Sequence, residues 1–426
     1  MKIVVEPSHD TPLVWFEVAI RGGASADPIG LEGLHRHTAL LASRGAGDRR
    51  RSELEEFVEG LGAAVDMSQS RDALALSGLC LSKHLDTVGE LAAQVLAEPR
   101  FDADEHERLL RETPQILDEI RDDDSELASR WFDWSCAPGH PYGRTALGTE
   151  KSIAAIGELG REGVRALWKR EVVRDNIVVG VAGDVDDKTA QRLVDRLTER
   201  LPKGVRTADL PMPGPVQPGR RAILVDKPDR TQAQLRIGHL GMRYGHADTP
   251  AIAIADAAFG GIFSSRLMQE VRVKRGWSYG AGCAMRRSRL PHWFEIWTAC
   301  DIDVTGQAIA LELELYDELA AKGITDEEFD LVRSYLVGAM PLHVATARQR
   351  MQIAIRDELY DLPAGYTTSL PERFAGLSAS DVRAACARHF QPQNAVTVAV
   401  TTAAKAREAL EQANAGAVTI VRHDEY

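Results

Sequence analysis

Cysteine is scarce and unpaired in this chain. Its 426 residues contain five, Cys80, Cys136, Cys283, Cys300 and Cys386, scattered and never in a Cys-x-x-Cys spacing. That excludes a zinc ribbon and gives no disulfide framework, so the thiols are read as core residues. Basic residues are outnumbered, 51 Lys and Arg against 63 Asp and Glu for a net charge of −12. The basic excess that a nucleic-acid partner needs is therefore missing. No apolar run approaches the ~18 residues that span a bilayer, so no membrane segment is expected. The opening stretch "MKIVVEPSHDTPLVWFEVAIRGG" has no apolar h-region and alternates like a strand. A cytoplasmic location is expected on that ground, or a periplasmic one if the chain is a trimmed mature form.

What is present is an ordinary globular balance, 44% apolar and 27% charged residues, over a length that suggests more than one domain. The stretch from Leu201 to Arg221 carries Pro202, Pro211, Pro213, Pro215 and Pro218, which deny it helix and ladder hydrogen bonds. We read residues 1–205 as an N-terminal domain, 206–222 as a linker and 223–426 as a homologous C-terminal domain. The halves echo each other: "FDADEHERLL" at Phe101 matches "ITDEEFDLVR" at Ile324, and "VRDNIVVGVAGDV" at Val173 matches "QPQNAVTVAVTTA" at Gln391. The step from Asp104 to Asp326 is nearly the same as that from Asn176 to Asn394, and two matching steps are the signature of a duplication.

Within each half, alternating segments read as strands and 3.6-period segments as helices. "LVWFEVAIRGG", "DALALSGLCL" and "NIVVGVAG" are strands, and "RSELEEFVEGLG" and "HLDTVGELAAQVLAE" are helices. In the second half "AQLRIGHLG" and "HWFEIWTACD" are strands, and "IALELELYDELAAKG" is a helix. The fold class is α+β, with one such layer per half.

Five stretches, in one order, carry a resemblance: "GGASADPIGLEGL" (Gly22 to Leu34), "SELEEFVEGLGA" (Ser52 to Ala63), "HPYGRTALGTEKSI" (His140 to Ile153), "RDNIVVGVAGDV" (Arg174 to Val185) and "FSSRLMQEVRVKRGWSYG" (Phe263 to Gly280). The chain resembles the pitrilysin/insulinase class of zinc peptidases, in particular its bacterial, mitochondrial-processing-peptidase-like members. The resemblance implies two duplicated domains, each a mostly antiparallel sheet covered by helices, forming half of a clam-shell chamber.

Active members of that class hold zinc with a His-x-x-Glu-His motif and a later glutamate. Anchored on Gly33 and Gly45, this chain has Arg36 in place of the first histidine, Ala39 in place of the general base and Leu40 in place of the second histidine. Neither His-x-x-Glu-His nor His-Glu-x-x-His occurs anywhere in it. His35 and His37 lie two apart, about 200° around a helix, and cannot share one ion; we expect two partly exposed histidines. Glu112 and Glu119 match the class's later glutamates, Glu119 at the third-ligand place, and are read as relics on a solvated helix. Pro114 between them implies a kink or a late helix start.

The second half keeps what the first has lost. "SSRLMQEVRVKRG" reads as a helix closed by Gly276, with "WSYGAGCAMRR" as the following strand. Arg272 and Tyr279, seven apart, match an arginine and tyrosine that in this class reach the zinc site and hold the substrate carbonyl, where a guanidinium and a phenol can donate to an oxyanion. The plain alternative is a surface ion pair for Arg272 and an interface plug for Tyr279. Gly260 and Gly261 match a segment near bound peptide in the class, and equally suit a tight corner.

The resemblance therefore implies an inactive, zinc-less subunit of a heteromeric zinc peptidase. On that reading it has no cofactor and no activity of its own, and it lends Arg272 and Tyr279 to a homologous zinc-binding partner in a heterodimer or higher heteromer. The substrate would be a peptide or unfolded segment added along a sheet edge. The rival readings are a structural or assembly protein like the core subunits of respiratory complexes, and an enzyme with an improvised metal site of His35 or His37 with Glu119.

Overall fold

A computed structural model describes residues 1–210, 217–413 and 415–425. The chain forms two compact units, each assembled from three segments. The first comprises Met1–Leu117, Thr145–Leu210 and Pro341–Thr367; the second comprises Asp118–Arg144, Pro211–Met340 and Thr368–Tyr426. Of the proline-rich linker, Pro211, Pro213 and Pro215 lie outside the described residues, and its last two residues, Arg221 and Ala222, already belong to a strand.

The first unit is built on five strands: β1 (Lys2–Pro7), β2 (Leu13–Arg21), β3 (Ala64–Gln69), β4 (Ala73–Leu81) and β5 (Ile177–Gly183). Their order across the sheet is β1-β5-β2-β4-β3. The β1/β5 pair is parallel, with Lys2 opposite Val178, and the other neighbours are antiparallel. Strand alternation explains the two cores. Val14, Phe16, Val18 and Ile20 of β2 point into one core with Leu74, Leu76, Val179 and Val181. Ala19, Val178 and Ala182 face the other way, against Ala347, Met351 and Ile355 of the helix Ala347–Leu359. Because both faces of β5 are covered, its "IVVGVAG" run is buried throughout and shows no alternation.

The second unit repeats the plan. Its strands are β6 (Arg221–Asp226), β7 (Gln232–Leu240), β8 (Ala281–Met285), β9 (Trp293–Asp301), β10 (Val396–Thr401) and β11 (Ala417–Arg422). Their order is β8-β9-β7-β10-β6-β11. The β6/β10 pair is parallel, with Arg221 opposite Val396, and so reproduces β1/β5 in the first unit. β11 is an added edge strand with no counterpart in the first sheet. The duplication read from the matching steps is therefore a duplication of strand order as well.

The contiguous halves drawn at the linker differ from the compact units in one respect. The helix Asp124–Cys136, from the first half of the chain, packs on β7 and β10, and Ala347–Leu359, from the second half, packs on β1 and β5. Each half gives one helix to the other's sheet, an exchange with no local sequence mark. Among the described residues no helix is long and apolar enough to cross a membrane.

Inside the second unit, Glu312 on the helix Thr305–Lys322 is fully buried and accepts a hydrogen bond from Thr298 of β9, while its other carboxylate oxygen has no partner. Burial raises its pKa to about 7. The folded state thus keeps a proton that the unfolded chain releases near 4.5. The Glu312 contribution to stability is fully present below pH 4.5, falls as the pH rises to about 7, and is level above that, a loss of about 3 kcal/mol at most. Glu312→Gln is expected to melt above the parent chain at pH 8 and to lose this slope. Calorimetry from pH 4.5 to 8 checks it; parallel melting curves for the two proteins would contradict the assignment.

Candidate functional site

The helix Leu34–Ala42 carries Arg36, Ala39 and Leu40, the three positions that align in sequence with a zinc motif. Asp27 organises its start: its carboxylate accepts from the amides of Gly33 (2.8 Å) and His35 (2.9 Å) and lies 2.6 Å from His35 Nδ1. On another side of the helix, His37 Nε2 lies 2.8 Å from Nδ1 of His106. The histidines do point to different neighbours, as their spacing requires. They are not partly exposed, however: His35 is 0% and His37 5% accessible. Each has a buried polar partner, which offsets the cost of leaving water.

The three substituted positions have been absorbed by the fold. Ala39 is buried in the core of the first unit, and Leu40 packs against that core. Arg36 is half-buried, with its Nη1 3.5 Å from Thr113 Oγ1. Burial lowers its pKa, as does the neighbouring Arg44, while Glu112 opposes the shift. A guanidinium held here would repel a divalent cation.

Glu112 is not a solvated relic. Arg44 donates to its Oε2 at 2.7 Å, Arg108 to its Oε1 at 2.7 Å, and Arg44 also bridges to Glu105 at 3.0 Å. The hydrogen bond from Arg44 leads the causes that hold the Glu112 carboxyl below its usual range. Guanidinium groups therefore supply the positive charge that balances this carboxylate. Glu119 is exposed, two turns further along the same helix. That helix runs from Ala103 to Asp122 with Pro114 inside it, so the late start expected from the proline does not occur. Pro114 removes one amide bond and crowds the Leu110 carbonyl, and the helix continues through it.

Among the described residues, His246, Asp248 and His389 are the group of three metal-capable side chains whose ligand atoms lie within 4.8 Å of one another. Both Asp248 carboxylate oxygens and one ring nitrogen of each histidine are already engaged. Asp248 accepts from Arg388 at 3.1 and 3.0 Å and lies 2.7 Å from His389 Nε2, and His246 Nδ1 accepts from the Asp248 amide at 3.0 Å. The cluster ties the end of the helix Ala379–His389 to the start of Thr249–Asp256.

Arg272 and Tyr279 are brought together in the second unit. The segment Met268–Val273 is a π-helix, whose wide turn is a form enriched at functional sites. Gly276 ends it at φ 64°, and the amides of Gly276 and Trp277 bond to the carbonyls of Arg272 (2.9 Å) and Val271 (3.1 Å). This is a glycine-type C-cap. Tyr279 lies in the turn before β8, not in the strand. Ser278 braces that turn by donating to Gly280 O at 2.6 Å and accepting from the Gly280 amide at 3.1 Å. The guanidinium carbon of Arg272 sits 4.7 Å from the Tyr279 ring centre and 5.3 Å from that of Phe263. Tyr279 is 89% and Phe263 64% exposed. The guanidinium thus lies within cation–π distance of two exposed rings. Sequence spacing points to Arg272 and Tyr279. Phe263 gives no such signal, because its approach to Arg272 depends on the loop between them.

Gly260 and Gly261 end a second π-helix, Ala257–Gly261. Gly260 is buried, and a Cβ there would collide with the amide nitrogen of Cys283 in β8 and lie 2.7 Å from its Sγ. Gly261 is exposed, and its nearest such contact is 3.4 Å. Close packing against β8 accounts for Gly260.

Two family models match the chain: "Insulinase (Peptidase family M16)" over residues 2–135, and "Peptidase M16 inactive domain" over residues 158–336. The chain belongs to the insulinase family of peptidases. Within this family it is similar to the protein called "Non-peptidase homolog YmxG" of Helicobacter pylori, at 22% identity over 89% of this chain and 87% of that one. It is also similar to the "Uncharacterized zinc protease Rv2782c" of Mycobacterium tuberculosis, at 28% identity over 70% of each. A crystal structure titled as a peptidase M16 inactive domain from Pseudomonas fluorescens shares the fold, with a TM-score of 0.87 at 23% identity over 94% of this chain and 95% of that one. In this insulinase-family chain, then, the fold is kept while the metal-binding signature of the family's active members is absent from the sequence.

Burial, followed by the facing His106 and the nearby Arg36 and Arg44, pushes the His37 pKa down to about 3. The ring is neutral in the fold, whereas the unfolded chain takes up a proton near 6.5. Its contribution is present above pH 6.5 and is lost as the pH falls toward 3. His37→Gln is expected to melt below the parent at pH 7.5 and to approach it at pH 4.5; a constant gap would rule out this origin. Gly260→Ala is expected to cost about 1–3 kcal/mol through overpacking, and Gly261→Ala close to nothing. Denaturant titration of both separates packing from any role in binding.

Proposed function

We propose that this chain is the zinc-less subunit of a heteromeric zinc peptidase, completing the active site of a homologous zinc-binding partner. The observation that carries this reading is the contrast between two positions of the fold. On and beside the helix Leu34–Ala42, His35, His37 and Glu112 are each tied to another protein group, whereas Arg272 and Tyr279 stand stacked beside each other with the tyrosine in water. A structural pair gains nothing from that exposure, while a pair used by a ligand requires it.

The chemistry assigned to this chain is hydrogen-bond donation. A zinc held by the partner would supply an activated water, and attack on a peptide carbonyl would place negative charge on its oxygen. Preorganised N–H and O–H donors then stabilise the transition state more than the ground state. Arg272 supplies planar N–H groups and Tyr279 a phenolic O–H. The peptide would bind extended, as an unfolded segment. The printed names of relatives, one a non-peptidase homolog and another a zinc protease, support a division of labour between such chains.

The test is to capture the complex from the source organism and assay cleavage of an unstructured peptide with and without a chelator. The purified chain alone is expected to be inert, and the complex active and chelator-sensitive. In the reconstituted complex, Arg272→Ala and Tyr279→Phe are expected to lower kcat/KM by roughly 10- to 100-fold, approaching the range seen when one oxyanion donor is removed. Unchanged kcat/KM in both variants would sink the shared-site reading.

A further inference from the structure

Two rings lie beside the Arg272 guanidinium: the Tyr279 ring centre is 4.7 Å and the Phe263 ring centre 5.3 Å from the guanidinium carbon. The loop presenting Phe263 is held in place: the Ser265 amide bonds to Ile262 O at 3.0 Å, the Gln269 amide to Ser265 O at 3.0 Å, and Gln269 Nε2 reaches Phe263 O at 3.4 Å. Its end is anchored by Arg266, which donates to Glu328 at 3.1 and 2.7 Å and to Gly323 O at 3.3 Å. Phe263 is thus kept largely in water by a braced backbone, with the Arg272 guanidinium beside its ring.

We propose that Phe263 is a positioning residue for Arg272: the two rings clamp the guanidinium face-on, so that only its in-plane N–H donors are offered to a ligand. This rests on the reading of Arg272 and Tyr279 given above. A free arginine side chain samples many rotamers, and fixing it during substrate binding costs conformational entropy. Stacking on both faces settles the plane of the guanidinium beforehand. A phenyl ring has no hydrogen-bonding group of its own, so it offers no donor to an oxyanion and affects the donor geometry through the arginine.

Two measurements test the clamp. In the full-length chain labelled with ¹⁵N-arginine, the Arg272 Nε–Hε signal, identified by its loss in Arg272→Lys, is expected to be ring-current shifted. It should move toward the solvent-exposed arginine position in Phe263→Leu and return in Phe263→Trp. In the complex with the zinc-bearing partner, Phe263→Leu is expected to lower kcat about 3-fold, the equivalent of one exposed cation–π contact. KM should change little, and Phe263→Trp should restore the rate. A signal that stays in place in Phe263→Leu overturns the clamp. A signal that moves while kcat holds at the parent value, with Arg272→Ala still damaging, overturns the positioning role and leaves the shared-site reading intact. Loss of that reading would register separately, as an Arg272→Ala variant with full activity.

Discussion

The parallel pairing of the first and last strands of each duplicated plan is the constraint on which the rest depends. β1 meets β5 with Lys2 opposite Val178, and β6 meets β10 with Arg221 opposite Val396. These pairings join segments from opposite ends of each half of the chain, and no local propensity supplies them. Once they form, β5 and β10 become central strands buried on both faces. The strands antiparallel to them are then aligned, and the segments ahead of β3 and β8 come to lie beside equivalent edges of the two sheets. The helix Leu34–Ala42 packs against β3, and the π-helical Ala257–Gly261 packs against β8. Two copies of one scaffold thus present the same position for different uses.

The copies have diverged by opposite routes. In the first unit, carboxylates remain and arginines have come to meet them, so Glu105 and Glu112 are neutralised within the protein. At the step that carries Asp104 onto Asp326, Glu112 and Glu119 correspond to Ser334 and Pro341 in the helix Asp326–His343. That helix instead exposes Leu331, Tyr335 and Val337. One copy holds its carboxylates in ion pairs with arginines, and the other has no carboxylates at those places.

Much of this is legible in the residues themselves. Alternation and helical period locate the main strands and helices, and the equal steps between matching segments disclose the duplication. The placing of His35 and His37 two residues apart, on nearly opposite sides of one helix, rules out a shared ion. The unread part is physical in origin. Burial of the two histidines depends on Asp27 and His106, partners that no periodicity links to them. Pro114 suggests a break because a proline removes one amide, yet a helix of 20 residues tolerates that loss. The π-turn at Met268–Val273 and the approach of Phe263 to Arg272 have no pattern of their own, since an extra residue per turn leaves the hydrophobic sequence nearly unchanged.

The exchanged helices bear on how such a protein can be divided. Each sheet has one face closed by a helix encoded on the other side of the proline-rich segment, so the symmetric midpoint of the chain is not a boundary between folding units. A chain ending near residue 205 would leave Ala19, Val178 and Ala182 without Met351 and Ile355, an apolar surface open to any other chain in the cell. A nick in the same segment of the finished protein removes no element from either core. A cut there leaves the two pieces held together by the helices they exchange, whereas either half translated alone would lack a helix that closes its sheet.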